Sequence, residues 1–169
     1  MISAITHFDQ FLGEHPETIL AIVLIAMFVS VFSRKEFNGK LLVVYVGTIL
    51  YLTILNRSES KHGINLHLFW TYRYAKGNDY LKKQILYNIG LFVPLGTIIS
   101  QLAPQWKNMR LLLFSSVAIE LLQLISGRGL FELDDVFNNT MGGIIGFAIG
   151  MLFVKLKEHF GGNNKRKQV

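Results

Sequence analysis

The chain has 169 residues, 51% of them hydrophobic, and a mean hydropathy of +0.37, which is too apolar for an ordinary soluble domain and long enough for only one domain. Because it has no cysteine, disulfides, thiolate metal sites and cysteine nucleophiles are excluded. The formal net charge of +6 does not indicate a nucleic-acid partner, since the basic residues fall between apolar runs and in the tail.

Five mostly apolar runs of roughly 15 to 20 residues, separated by polar or basic segments, predict membrane-spanning helices. No basic segment precedes the first run and no small-residue cleavage site follows it, so we predict a retained helix rather than a secretory signal. The sequence predicts an all-α polytopic membrane protein, a compact bundle of about five transmembrane helices in one domain over residues 1–160. The runs are Glu17–Ser33, Leu41–Leu55, Ile85–Leu102, Met109–Ser126 and Val136–Leu156.

The third and fifth runs contain residues with specific effects on helices. Pro94 lies near the middle of the third run, where it removes a backbone hydrogen bond and predicts a kink. Gly142, Gly146 and Gly150 are four residues apart in the fifth run, so they form one stripe that lets another helix approach closely. After the fifth run, residues 161–169 form a basic tail that we expect to be disordered.

The longest connection, residues 58–84, contains the aromatic segment INLHLFWTYRY. Aromatic and basic side chains together favour the headgroup region of a membrane, so we interpret this loop as an interfacial anchor. A role in covering a functional site is the alternative. His62 and His67 lie in this loop, and we expect them to be surface residues rather than metal ligands.

The distribution of basic residues predicts the orientation in the membrane. An amino terminus outside and a carboxyl terminus in the cytoplasm put 10 of the 17 Lys and Arg residues on the cytoplasmic side and 7 outside. Of those 7, 6 belong to the aromatic loop and its flanks, where they have another expected use. We therefore predict this orientation.

Polar residues concentrate at one end of the predicted bundle. Alternating helix directions place the junction between the second and third spans on the same side as that between the fourth and fifth. The polar residues at these two junctions therefore suggest a polar cavity that faces outside the cell. The candidate ligand-binding residues are Arg57, Asn88, Gln123, Arg128, Asn138 and Asn139, and the candidate catalytic residues, if the protein is an enzyme, are Glu120, Asp134 and Asp135.

Glu120 lies six residues before the end of its span, about 9 Å along the helix from that end. Because an ionisable side chain in hydrocarbon costs a few kcal/mol, we expect Glu120 to face the polar cavity and to pair with Arg128 or Arg57. Asp134 and Asp135 open the fifth run, where an aspartate commonly caps a helix. We expect one of them to cap and the other to belong to the site.

Oxygen ligands from Glu120, Asp134 and Asp135 would suit Mg²⁺ or Ca²⁺. Their spacing is not diagnostic of a metal site, and no known catalytic or phosphate-binding motif is present. We therefore predict neither a metal nor another cofactor.

Four ordered motifs resemble those of the VanZ-like family of small bacterial membrane proteins, and Arg57 and the Asn65-Leu66 pair also fit its pattern. The family's polar motif residues correspond to Arg57, Asn88, Glu120, Gln123, Arg128, Asp134, Asp135 and Asn139. His67 departs from the pattern, since a proline is often found there. The motifs are NIGLFVPLG at Asn88–Gly96, IELLQ at Ile119–Gln123, GR at Gly127–Arg128 and DDVFNNTMGGIIG at Asp134–Gly146.

The resemblance implies a location in the bacterial plasma membrane and a link to resistance against the glycopeptide teicoplanin, without a defined reaction. Three functions are compatible with the sequence. The first is a protein whose cavity binds an amphiphile, such as a membrane lipid, a lipid-linked cell-wall intermediate or a lipoglycopeptide. The second is an enzyme in which Glu120 or Asp135 acts as acid or base on such a molecule. The third is a small lipid transporter or flippase, for which a homodimer would enlarge the bundle.

Overall fold

The computed structural model describes the backbone of residues 16–55 and 63–166, with the side chains of residues 20–55 and 63–160. The described part is mainly helical and contains two short strands, β1 (Ile64–Asn65) and β2 (Phe131–Glu132). The helices are α1 (Pro16–Phe32), α2 (Lys35–Leu50), α3 (Trp70–Tyr74), α4 (Asp79–Leu102), α5 (Arg110–Ser126) and α6 (Leu133–Arg166). A π-helical turn, Tyr51–Leu55, extends α2, and a 3-10 turn, Trp106–Met109, precedes α5.

Within these residues, four helical segments are long and apolar enough to cross a membrane, and Leu20–Phe32 forms a shorter apolar helix. Large apolar side chains such as Phe28, Val43, Phe114 and Ile125 are more than 60% exposed on the outer surface of the bundle. Such a surface suits lipid rather than water. The prediction of an all-α, multi-pass membrane bundle is confirmed. The four segments are Lys35–Leu55, Asp79–Leu102, Trp106–Ser126 and Leu133–Phe160.

Two helices are longer than the apolar runs that predicted them. Helix α4 begins at Asp79 because the Asn78 side chain caps it, accepting hydrogen bonds from the backbone amides of Tyr80 and Leu81 at 3.1 and 3.3 Å. Helix α6 continues through Arg166, where the sequence predicted a disordered tail after residue 160. Extending an existing helix adds a hydrogen bond for each residue ordered, so a helix continues more easily than it begins.

The closest contact in the fold lies between α4 and α6. A Cβ atom placed on Gly142 would lie 2.1 Å from the Ile89 carbonyl oxygen, and one on Gly146 would lie 1.8 Å from that of Val93. Moving four residues along α6 therefore moves the contact four residues along α4, so the two helices run parallel. The predicted close approach of a second helix to the glycine stripe is confirmed.

Polar side chains strengthen the same contact. The Thr97 hydroxyl donates to the Gly146 carbonyl at 3.0 Å, and the Gln101 amide donates to the Gly150 carbonyl at 2.9 Å. In hydrocarbon, where water cannot compete, such side chain to backbone hydrogen bonds add to the packing of small residues. Pro94 lies inside α4 and is buried, and the kink expected there stays a prediction.

Helices α2 and α5 pack against this pair. The Tyr45 hydroxyl of α2 donates to the Leu91 carbonyl of α4 at 2.9 Å, and the Ser116 hydroxyl of α5 donates to the Val136 carbonyl of α6 at 3.3 Å. We call the end where α4 and α6 begin the loop end. The opposite end is the tail end, where the Lys157 ammonium of α6 donates to the Val31 carbonyl of α1.

We predict that Gly146→Ala destabilises the protein by about 1–3 kcal/mol, because the added methyl group meets backbone that cannot move without separating α4 from α6. Gly47→Ala in α2 is the matched control, since nothing lies within 4 Å of the added Cβ. It should be neutral or stabilise by up to about 1 kcal/mol through better helix propensity. Thermal unfolding in detergent, followed by circular dichroism, compares the two, and equal midpoints would contradict the packing argument.

Candidate functional site

The aromatic loop is attached to the bundle beside the turn between α5 and α6. Strand β1 pairs in parallel with β2, so that Ile64 lies opposite Phe131 and Asn65 opposite Glu132. The Phe131 amide also donates to the Gly63 carbonyl at 3.0 Å. This sheet of two strands, each two residues long, brings a segment that follows α2 next to one that precedes α6.

Asp134 holds the next part of the loop through its backbone. One carboxylate oxygen accepts a hydrogen bond from the Phe69 amide, and the other accepts one from the Thr71 amide at 2.8 Å. Phe69 has a φ of +63°, a left-handed conformation that costs a bulky residue roughly 1–2 kcal/mol. Asp134 is fully buried, and its two bonds keep the loop backbone in this shape.

The sequence predicted that one of the two aspartates caps the helix that it opens. Asp134 does cap a helix, but a different one. Asp134 accepts from backbone amides at the start of the short helix α3, in the aromatic loop, rather than from the start of its own helix. Asp134 was also a candidate catalytic residue. Because both of its oxygens bind loop amides, its observed contacts support a positioning role.

Side chains of α3 and the loop also contact α6. The Tyr72 hydroxyl donates to Asn138 Oδ1, and the Phe69 ring packs edge-on against Phe137 with centroids 5.3 Å apart. Burial and, second, the Asp134 carboxylate raise the pKa of Tyr72. The higher pKa keeps the hydroxyl protonated, and so able to donate to Asn138, up to a higher pH.

The loop therefore covers the start of α6. The alternative interpretation, that the loop covers a functional site, stays a prediction. Its outer side still exposes apolar groups, since Ile64 and Leu66 are each 63% exposed and Tyr74 is 66% exposed. These groups fit the predicted position at the membrane interface, which stays a prediction. The loop can cover polar residues with its inner side and contact lipid with its outer side.

Beneath the loop, Gln84 of α4 joins two buried carboxylates. Its side-chain nitrogen donates to Glu132 Oε2 at 3.1 Å and lies 3.3 and 3.2 Å from the two oxygens of Asp135. The Asn65 amide reaches the other Glu132 oxygen at 3.4 Å. Glu132 and Asp135 are 8% and 2% exposed, so both are shielded from water. Both also lie within hydrogen-bonding distance of the same Gln84 amide.

Glu120 of α5 completes the group. Its Oε2 accepts a hydrogen bond from the Glu132 backbone amide at 3.2 Å, and its side chain is 1% exposed. Glu120 thus lies next to other polar groups, as expected. The polar cluster is defined as Gln84, Glu120, Gln123, Glu132, Asp134, Asp135, Asn138 and Asn139 together with Asn65 and Asn88.

Arg128 does not pair with Glu120, contrary to one of the two pairings that the sequence predicted. Its guanidinium donates to the carbonyl oxygens of Leu55 at 2.8 Å and Ile54 at 3.4 Å, at the end of the π-helical turn after α2. A cation at a helix carboxyl end satisfies free carbonyls and favours the helix dipole. Arg57, the other predicted partner, and His62 lie outside the described residues.

Arg128 is placed by the turn at the end of α5. Gly127 has a φ of +71°, which glycine adopts without strain. The Arg128 amide then donates back to the Gln123 carbonyl at 3.1 Å, closing the helix. The Gly-Arg sequence therefore ends the helix and turns the guanidinium towards α2.

The four candidate amides are all buried: Asn88 is 9% exposed, Gln123 2%, Asn138 0% and Asn139 4%. The amide nitrogens of Asn88 and Asn138 and the hydroxyl of Thr71 are buried and have no hydrogen-bond partner in the described part of the chain. An unpaired buried donor costs about 1–3 kcal/mol. Each of these groups could therefore donate a hydrogen bond to an acceptor oxygen of a bound molecule.

Sequence reasoning missed several residues of the cluster. Glu132 was not among the sequence candidates, although its position two residues before Asp134 was a usable signal. Gln84 lies in the polar segment before the apolar run and showed no signal of its own. Asn65 appeared in the family resemblance but not among the candidates.

Among the side chains that the structure describes, those of residues 20–55 and 63–160, no three from Asp, Glu or His are arranged so that they could hold a metal ion.

We predict that Asp134→Asn loosens the loop. Asparagine retains one acceptor oxygen but turns an amide nitrogen towards the second backbone donor, which should cost about 1–3 kcal/mol locally. Hydrogen exchange measured by mass spectrometry in detergent should be about tenfold faster or more in peptides covering residues 63–78. Asp79→Asn is the control, because Asp79 is exposed and bonds only Lys82. Unchanged protection in Asp134→Asn would show that this carboxylate does not hold the loop.

Comparison with curated proteins and with solved structures gave no match. A sequence profile of the VanZ/LLP1 family matches residues 18–154, which include α2 to α5 in full, most of α1 and of α6, the aromatic loop and every residue of the polar cluster. The match covers most of the chain, and the bundle with its polar cluster at one end accounts for the motifs that carried the resemblance. The chain belongs to the VanZ/LLP1 family.

Proposed function

We propose that this protein is a cell-envelope membrane protein whose polar cluster binds the polar head of an amphiphilic envelope molecule, and that this binding underlies resistance to glycopeptides of the teicoplanin type. The carrying observation is the burial of four carboxylates, Glu120, Glu132, Asp134 and Asp135, at one end of a membrane bundle. Burying carboxylates near hydrocarbon is expensive, and such groups commonly mark functional sites.

The composition of the cluster supports a polar head group as the ligand. Carboxylates accept hydrogen bonds and attract cationic groups, whereas the amide nitrogens of Asn88 and Asn138, which have no partner among the described residues, can donate. A head group that carries both donors and acceptor oxygens matches this mixture. A lipid-linked cell-wall intermediate, a phospholipid and a lipoglycopeptide all have such heads.

The position of the cluster supports an amphiphile rather than a freely soluble molecule. The cluster lies where α4 and α6 begin, and the loop that covers this end exposes Leu66 and Tyr74. A ligand with an apolar tail can place that tail along the lipid-facing helices while its head lies under the loop. In the orientation with the amino terminus outside, this end faces the cell exterior, where glycopeptides act.

Asp135→Asn should weaken binding, because it removes one of the two carboxylates joined by Gln84. We expect at least a tenfold loss of affinity, about 1.4 kcal/mol, for purified protein titrated with teicoplanin or an undecaprenyl-linked cell-wall precursor. Teicoplanin resistance of cells that express the variant should fall in parallel.

Glu158→Gln is the matched control for this experiment, since Glu158 is an exposed carboxylate on the same helix. It should bind within twofold of the wild type. If the wild type binds neither probe saturably and Asp135→Asn leaves resistance intact, the proposal fails. Thermal midpoints of both variants separate lost binding from lost folding.

An enzyme is the second candidate, and one observation favours it. Glu132 and Asp135 approach the same amide nitrogen of Gln84, and Glu120 accepts from the Glu132 backbone. Buried carboxylates that accept from one amide nitrogen are candidates for a general acid and a general base. In this version Glu120 or Asp135 transfers a proton to or from the bound head group. The glycine stripe serves tight helix packing, so we do not extend the proposal to transport.

Lipid extracts distinguish the enzyme from the binding protein. If chemistry occurs, cells that express the wild type should contain a modified lipid or precursor that is absent from cells that express Asp135→Asn. Mass spectrometry of whole lipid extracts makes this comparison. Identical lipid profiles in the two strains, with the binding difference preserved, would support binding without catalysis.

A further inference from the structure

We propose a second binding surface at the loop end, one that binds the phosphate head groups of anionic phospholipids in the surrounding leaflet. It lies on the outside of α3 and the first turns of α4, whereas the polar cluster lies inside. Its charge is basic, whereas the cluster is acidic. We call it the basic rim and define it as Tyr72, Arg73, Tyr74, Lys76, Tyr80, Lys82 and Lys83.

The outer face of α4 locates the rim at the edge of the hydrocarbon. Lys83 and Leu86 are three residues apart, so they share a face, and both are exposed, Leu86 by 65%. Tyr80, one turn before Lys83 on the same side, is 74% exposed. Within about 5 Å along the helix the exposed face therefore changes from apolar to basic and aromatic, which is the pattern at a membrane interface.

Helix α3 contributes the second part of the rim. Arg73 is exposed, and the neighbouring Tyr72 and Tyr74 are 40% and 66% exposed. Tyr74 also packs against the Trp70 ring, with centroids 6.1 Å apart. Tyrosine and tryptophan combine an apolar ring with a polar group, so they favour the headgroup region where arginine and lysine meet phosphate.

The charge of the rim is largely uncompensated by the protein. Lys82 bonds Asp79 at 2.9 Å. Among the residues that the structure describes, Arg73, Lys76 and Lys83 form no ion pair, although Asp79 also lies near enough to attract Lys83. Phosphate is the complementary group, because arginine and lysine both bind its oxygens and basic residues near a membrane attract anionic lipid.

This surface gives the basic residues of the long loop a role other than setting orientation. It also concentrates anionic amphiphiles next to the polar cluster without using any residue of that cluster. The inference therefore stands or falls independently of the proposed function.

Trp70 provides a reporter inside the chain. The protein has 2 tryptophans, so Trp106→Phe leaves Trp70 as the only one. This variant is reconstituted into phosphatidylcholine vesicles that contain phosphatidylglycerol, with bromine on the acyl chains of one lipid or the other. Quenching of Trp70 fluorescence then gives the relative affinity of the two lipids for its surroundings.

We expect phosphatidylglycerol to be favoured by about threefold or more, in line with the attraction of several basic residues near a membrane surface. Adding Arg73→Gln, Lys76→Gln and Lys83→Gln should reduce this ratio towards one, and so should high salt. The matched control adds Lys107→Gln and Arg110→Gln at the tail end, which should leave the ratio at Trp70 unchanged.

Three results would overturn the inference: no quenching of Trp70 by either lipid, a ratio near one without the rim substitutions, or an equal fall in the ratio from the tail-end control. Because the substituted rim residues are exposed and unpaired within the described chain, the variant should fold normally. Circular dichroism and gel filtration verify this. Teicoplanin binding should persist in the rim variant, which separates this result from the fate of the proposed function.

Discussion

The parallel contact between α4 and α6 is the constraint on which the rest of the structure depends. Carbonyl groups of α4 lie where side chains would stand at Gly142 and Gly146, so the register between the helices allows little sliding. About one and a half turns earlier on α4 and about two turns earlier on α6, the same pair of helices brings Gln84 beside Asp135. Packing in the membrane interior thus positions the polar groups at its surface.

The loop end combines two environments of opposite charge. Inside, buried carboxylates accept hydrogen bonds from side-chain amides and backbone amides. Both oxygens of Asp134 accept from backbone amides of the loop that covers this end. Outside, Arg73 and Lys83 face the surroundings next to exposed tyrosines. The loop lies between these environments, and the hydrogen bonds to Asp134 hold its backbone in a shape that includes the left-handed Phe69.

Much of the site could be predicted because intramembrane polar residues are conspicuous. Glu120, Gln123 and Asn138 stand out in apolar runs, and alternating helix directions place them at one end of the bundle. Glu132 and Gln84 could not be found in this way, since they lie in polar segments where an acid or an amide is ordinary. Glu132 and Gln84 belong to the cluster because of their contacts: the Gln84 amide bonds both Glu132 and Asp135. These contacts depend on how the helices are aligned along their length.

By itself the sequence determined that the chain is a helical membrane protein, because apolar run length is compared directly with bilayer thickness. It also determined the glycine stripe and the concentration of polar residues at one end, since both follow from helical periodicity. Only the tertiary structure decided which partner each polar group takes: Arg128 binds the end of α2 rather than Glu120, and Asp134 caps α3 rather than its own helix. Hydrogen bonds between segments far apart in the chain depend on distances of a few ångströms, which local sequence patterns do not encode.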